Sequence, residues 1–231
     1  MPKIGMPVPL SIRRADLVIW EFALNSLENF PFTMSVSFMI LGLIFFQPTW
    51  SLISLGVLMV FFLVTALQSF FGTIAPSLGE DIVGALNTPV GAGANTCYPY
   101  SGSARPFTFP SEWMTQSAFI LIFIMYNSWI LMKKKGNTSL FEAYQRRMSR
   151  TQISLLASGV LLATFMGLRY QMGCDTGVSI FISTALGAGL AVGYWHILDI
   201  CNTQLNSDVL GITRNMAPMT DDPEQAIVCT A

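Results

Sequence analysis

Residues 51–72 read SLISLGVLMVFFLVTALQSFFG, 22 positions without a charged side chain. An α-helix rises about 1.5 Å per residue, so such a stretch is long enough to cross the roughly 30 Å hydrocarbon core of a bilayer. Upstream, residues 32–47 (FTMSVSFMILGLIFFQ) are shorter but also uncharged. Pro48 between the two stretches fits a tight turn, which predicts a helical hairpin. Downstream, residues 114–132 end abruptly at Lys133, Lys134 and Lys135, and residues 152–170 follow a polar connection. Residues 177–198 are rich in small side chains: Gly177, Ser179, Ser183, Gly187, Gly189 and Gly193. The expected fold is all-α, a polytopic transmembrane helical bundle of about five spans.

Composition agrees. Of 231 residues, 52% are hydrophobic and 11% charged, where a soluble domain carries about 25% charged residues. The length suits one membrane domain. The net charge of −1 gives no basic field to attract nucleic acid, so the expected partners are membrane lipids and other protein subunits. The N-terminus, MPKIGMPVPLSIRRADLVIWEF, shows no apolar core followed by a small-residue cleavage site, and targeting is expected to come from the spans. Four cysteines, none in a CxxC pair, and the lone histidine His196 make a Cys/His metal site improbable, and no cofactor is expected.

Residues 16–30 (DLVIWEFALNSLENF) differ from the spans. Leu17, Trp20, Leu24 and Leu27 recur at helical spacing while Glu21, Asn25 and Glu28 take another face. That pattern predicts an amphipathic helix lying in the membrane interface, with a short polar sixth span as the alternative. Three regions follow: an N-terminal segment 1–31, a transmembrane bundle 32–200 and a polar tail 201–231. Within the bundle, the Pro- and Gly-containing connection 73–113 is too long for a simple turn and is expected outside the membrane.

The segment 133–151 holds Lys133, Lys134, Lys135, Arg146, Arg147 and Arg150, half of the 12 Lys and Arg. The positive-inside rule puts this loop in the cytoplasm and the connection 73–113 and the turn 171–176 on the far side. About five spans then leave Lys3, Arg13 and Arg14 outside, a mild conflict that a sixth span would remove.

Two polar patches fall on the far side: residues 103–113 (SARPFTFPSEW) and residues 167–177 (GLRYQMGCDTG). An arginine at a membrane boundary must snorkel or pair. Arg169 is therefore expected to snorkel, to pair with Asp175 or Glu112, or to hold an anion. Near the other end of the last span, His196 and Asp199 with Tyr194 and Trp195 read as an interfacial belt, with a proton relay as the alternative. Gly187, Gly189 and Gly193 read as a helix-packing surface.

The two patches resemble those of the type 2 phosphatidic acid phosphatases, helical membrane enzymes with phosphate-binding motifs on one side of the bilayer. Arg105-Pro106 resembles that family's Arg-Pro, and Pro110-Ser111-Glu112-Trp113 stands where its Pro-Ser-Gly-His would be. Leu168-Arg169 stands for its Ser-Arg. The spacing of the family then puts its nucleophilic histidine at Asp175 and its orienting carboxylate at Ser179. The resemblance implies a vestigial anion site of Arg105, Ser111, Arg169 and Asp175. Both histidines that the chemistry needs are replaced, by Asp175 and Trp113, and no lysine lies between Lys3 and Lys133. A chain sharing that fold is expected to be catalytically dead. If the patches converge as the resemblance implies, Cys97 and Cys174 come close enough for a disulfide. Two unpaired buried thiols are the alternative.

The functional expectation is a non-catalytic component of a larger membrane assembly. The build of the chain resembles internal-membrane proteins of large DNA viruses, and also a subunit of a bioenergetic complex. Two other classes stay open: a lipid-phosphate enzyme or binding protein using Arg105, Arg169 and Asp175, and a small transporter. The uncharged interiors of 32–47, 51–72 and 114–132 argue against the transporter.

Overall fold

Lipid offers no hydrogen bonds, so a chain crossing it must satisfy its own backbone, and these apolar stretches do so as helices. A computed structural model describes residues 29–45, 48–77, 79–86, 108–133 and 141–201, with no side-chain description at 48, 49 and 141–147. Among the described residues there are six α-helices and no strand: α1 (Phe30–Ile44), α2 (Pro48–Ile74), α3 (Glu80–Leu86), α4 (Glu112–Lys133), α5 (Phe141–Gln171) and α6 (Gly177–Cys201). A 3-10 turn over Ala75–Ser77 follows α2.

Four helical stretches, Trp50–Ser77, Glu112–Lys133, Met148–Gln171 and Gly177–Cys201, are long and apolar enough to cross a membrane. The protein is a helical integral membrane protein. Its long helices carry large apolar side chains on their outer faces, among them Phe62, Val160, Phe181 and Ile200. In water these would be a liability; in lipid they face a matching solvent. The remaining apolar helix, α1, has 15 residues, a rise of about 22 Å, short of a full crossing. It packs along α2 in the expected hairpin, and the Ser35 and Ser54 hydroxyls meet across the seam at 3.0 Å. Pro48 is the first residue of α2, a position where its missing N–H costs nothing.

The interior is organised around α4. In its most apolar window 72% of residues are buried, against 17% for α5. Helix α6 lies along one side of it and α5 along another, while α2 closes a third. The main core joins Ile53, Val57, Val60 and Val64 of α2 to Phe119, Ile120 and Phe123 of α4 and Ala191, Tyr194 and Trp195 of α6. Close approach of α4 and α6 depends on Gly187: a Cβ there would lie 2.5 Å from the Thr115 carbonyl oxygen and 2.9 Å from Ala118 Cβ.

Three sequence expectations need correction. Gly189 and Gly193 do not pack, because a Cβ at either would meet nothing within 4 Å. They lie two and six positions from Gly187, so helical geometry turns them to other faces. Tyr194 and Trp195 are buried rather than interfacial. The Tyr194 hydroxyl donates to the Leu52 carbonyl at 2.7 Å, and Trp195 Nε1 donates to Asn127 Oδ1 at 3.4 Å. The basic loop 133–151 is helical from Phe141 onward. The run FEAYQRRMSR contains no Gly or Pro, so α5 propagates beyond the apolar stretch. Residues 16–28 of the expected amphipathic helix, the middle of the 73–113 connection and the tail 202–231 lie outside the described residues.

Candidate functional site

Helix α5 ends in a turn that folds the chain back onto itself. Gly173 takes φ +67°, a left-handed conformation open to glycine at low cost. Its N–H donates to the Tyr170 carbonyl at 3.1 Å, and the Cys174 N–H reaches back to the Arg169 carbonyl at 3.0 Å. This is the Schellman arrangement at a helix C-terminus. It returns residues 174 and 175 over the last turn of α5, where Arg169 lies. The Arg169 Nε then donates to Asp175 Oδ2 at 2.7 Å, with side chains only 6% and 1% exposed. Thr176 starts the next helix: its hydroxyl accepts the Ser179 N–H at 3.1 Å and donates to the Ala85 carbonyl at 2.7 Å. Short helix α3 is thereby tied to the head of α6.

Helix dipoles favour this arrangement. Arg169 occupies the last turn of α5, where partial negative charge accumulates, and Asp175 precedes α6, where the charge is positive. A second helix start completes it. Ser111 immediately precedes α4, and its carbonyl accepts the Thr115 N–H at 2.9 Å, as an N-cap residue's does. The Ser111 hydroxyl donates to Asp175 Oδ2 at 3.0 Å, and its N–H donates to Ser183 Oγ of α6 at 2.8 Å. Ser111 and Ser183 are fully buried. Behind Ser111, Gln68 of α2 donates to the Pro110 carbonyl at 2.8 Å.

Trp113 supplies one wall. The Arg169 guanidinium lies 5.1 Å from its ring centre, a cation–π distance. The Trp113 ring packs against Phe165 at 5.1 Å, and Phe165 against Phe30 at 4.6 Å. One end of the bundle is thus cross-linked by a single polar cluster reaching α2, α4, α5 and α6.

Of the four residues assigned to the vestigial anion site, Ser111, Arg169 and Asp175 meet in space; Arg105 lies outside the described residues. Of the three fates expected for Arg169, the structure shows the pair with Asp175. Cys174 is disulfide-bonded, and Cys97 lies outside the described residues. Ser183 and Gln68 were not foreseen. The signal for Ser183 was its spacing: Asp175, Ser179, Ser183, Gly187 and Ala191 recur every fourth residue, a stripe of small or polar groups on one helix face. Gln68 was visible as the single amide in a 22-residue apolar run.

At the other end of the bundle, His196 Nε2 and the Tyr126 hydroxyl are 3.1 Å apart. About 21 residues of helix, some 30 Å, separate His196 from Asp175, so the two ends act independently. No group of three or more His, Cys, Asp or Glu placed to hold a metal ion occurs among the described residues. No protein-family model, curated protein or solved structure matches the chain.

Proposed function

We propose that this protein is a non-catalytic integral membrane component of a larger membrane assembly. The observation that carries the reading is that the anion facing Arg169 is the chain's own carboxylate. The Asp175 carboxylate already takes the Arg169 guanidinium and the Ser111 hydroxyl, and its side chain is 1% exposed. A phosphate entering here would meet a buried anion on the cation that should receive it. An attacking carboxylate would have to leave a buried ion pair first. The cluster therefore reads as a latch joining helix ends. The polar composition of residues 202–231, with Asp221, Asp222 and Glu224, suits contact with partners outside the lipid.

On this reading the basic segment 133–151 faces the cytoplasm, because it gathers six of 12 Lys and Arg. The far side, with Cys174, is the oxidising one, which its disulfide supports. Purified protein is expected to leave phosphatidic acid and pyrophosphorylated lipids unhydrolysed. Gentle extraction followed by cross-linking mass spectrometry is expected to recover a reproducible partner set in fixed ratio. Turnover abolished by Asp175→Asn would replace this reading with that of a lipid-phosphate enzyme, and extraction as an isolated monomer would remove the assembly.

A further inference from the structure

Helices α4 and α5 run antiparallel, and two contacts fix their register. Trp113 meets Phe165 at one end, and near the other the Ser128 hydroxyl donates to Ser154 Oγ at 3.2 Å. Beyond that hydrogen bond the chain is basic on both helices. Lys133 lies five positions after Ser128, and Arg150 four positions before Ser154. At about 1.5 Å per residue, both backbones stand some 6–8 Å past the Ser128–Ser154 contact, at one level. Arg147 and Arg146 follow on α5 at about 10 and 12 Å. Positions 147 and 150 are seven and four before Ser154, the spacings that share a helix face, so they belong to the side of α5 that Ser154 turns to α4.

Trp129 and Lys133 mark the depth of this band. The Lys133 ammonium lies 4.7 Å from the Trp129 ring centre, and Trp129 is 47% exposed. An exposed tryptophan beside a lysine at the end of a span belongs to the membrane interface, where the ring sits among headgroups and the ammonium reaches past it. On α5, the stretch apolar enough to cross a membrane begins at Met148. Positions 147 and 150 therefore stand where lipid phosphates lie.

The charge there is not neutralised from within the chain. Lys133 and Arg150 are exposed, and neither forms an ion pair among the described residues. Asp199 belongs to α6, which meets α4 through Tyr126 and Asn127 rather than through Ser128. Glu142 is four positions before Arg146, a helical ion-pair spacing, but no acidic residue stands three or four positions from Arg147 or Arg150. Two arginines three positions apart repel unless an anion lies between them.

We propose that Arg147 and Arg150, with Lys133 beside them, bind the phosphate of an anionic phospholipid at this end of the α4–α5 pair. A guanidinium grips two phosphate oxygens at once. Exposed Ile153, Leu156 and Val160 continue along α5 from Arg150 and give the acyl chains an apolar surface, which a free phosphate would not use. The inference is independent of the assembly proposed above.

The test mixes the full chain, purified in mild detergent, with equimolar phosphatidylglycerol and phosphatidylcholine and counts retained lipid by native mass spectrometry. The wild-type chain is expected to keep phosphatidylglycerol at about tenfold or more the level of phosphatidylcholine. Arg147→Gln with Arg150→Gln is expected to abolish that preference while eluting as wild type on size exclusion. Arg13→Gln with Arg14→Gln, an equal loss of charge elsewhere, is expected to leave it intact. Inorganic phosphate in millimolar excess is expected not to displace the lipid. Equal retention of the two lipids by the wild type, a preference that survives Arg147→Gln with Arg150→Gln, or an equal loss in both double variants would overturn the proposal. Displacement by inorganic phosphate would assign the arginines to a free anion and overturn it equally.

Discussion

Replacing Arg169 by alanine removes the cation that pairs with the buried Asp175 carboxylate and keeps the Ser111 hydroxyl, a neutral donor, against it. Breaking a buried ion pair from one side costs about 3–5 kcal/mol, most of it the uncompensated charge. Arg169→Ala is expected to lower the thermal midpoint of the detergent-solubilised protein sharply, and an unchanged midpoint would deny the latch. Asp175→Asn with Arg169→Ala should be milder than Arg169→Ala alone, because no charge remains to be stranded. Ser183→Ala probes the same cluster from α6. It removes the acceptor of the buried Ser111 N–H, a loss of about 1–3 kcal/mol. The pairing of Arg169 with Asp175 was readable because the two are six positions apart across a turn containing Gly173. The bond from Ser111 to Ser183 was not, because it joins residues 72 positions apart and depends on how two helices cross. A sequence displays the donors on each helix face but does not specify which faces meet.

Helix packing separates glycines that look alike in sequence. A methyl group at Gly187 would press on backbone atoms of α4, the Thr115 oxygen at 2.5 Å and the Phe119 nitrogen at 3.1 Å, which cannot move without shifting the helix. At Gly56 it would meet the ring ends of Phe119 and Tyr194 at 2.7 and 2.8 Å, side-chain rather than backbone atoms. At Gly189 and Gly193 it would meet nothing within 4 Å. The expected order of destabilisation is therefore Gly187→Ala, then Gly56→Ala, with Gly189→Ala and Gly193→Ala unchanged. Overpacking of this kind costs about 1–3 kcal/mol, measurable by thermal unfolding of purified variants; a loss at Gly189→Ala equal to that at Gly187→Ala would contradict the packing. The existence of all five apolar helices, and their approximate ends apart from the start of α5, were readable from hydropathy, which is a property of each stretch alone. The face of α6 turned to α4 follows from the four-residue stripe rather than from the number of glycines. The continuation of α5 to Phe141 was hidden because hydropathy marks where lipid ends, whereas a helix ends where capping or breaking residues stop it.

Across the whole molecule, the remaining question of connectivity has a covalent answer. Cys174 is disulfide-bonded and Cys201 is a free thiol, which leaves Cys97 and Cys229 as the available partners in a four-cysteine chain. Cys174 lies in the turn between α5 and α6, whereas the chain leading to Cys229 departs from the opposite end of α6, after Cys201. That helix has 25 residues, a rise of about 37 Å. A bridge to Cys229 would require the polar tail to recross the membrane, with its carboxylates and backbone unsatisfied in lipid. A bridge to Cys97 requires no crossing, because the connection that carries it leaves α2 and enters α4 at the end of the bundle where Gln68 grips the Pro110 carbonyl and Ser111 meets Asp175. Non-reducing digestion of protein from native membranes is therefore expected to yield one linked pair of peptides, containing Cys97 and Cys174, with Cys201 and Cys229 alkylated. On the loop-entropy account, a bridge spanning this much chain stabilises by about 4 kcal/mol, so reduction should lower the thermal midpoint. Recovery of a Cys174–Cys229 peptide would instead put the C-terminal tail on the same side as the latch and overturn the crossing pattern assigned to α6.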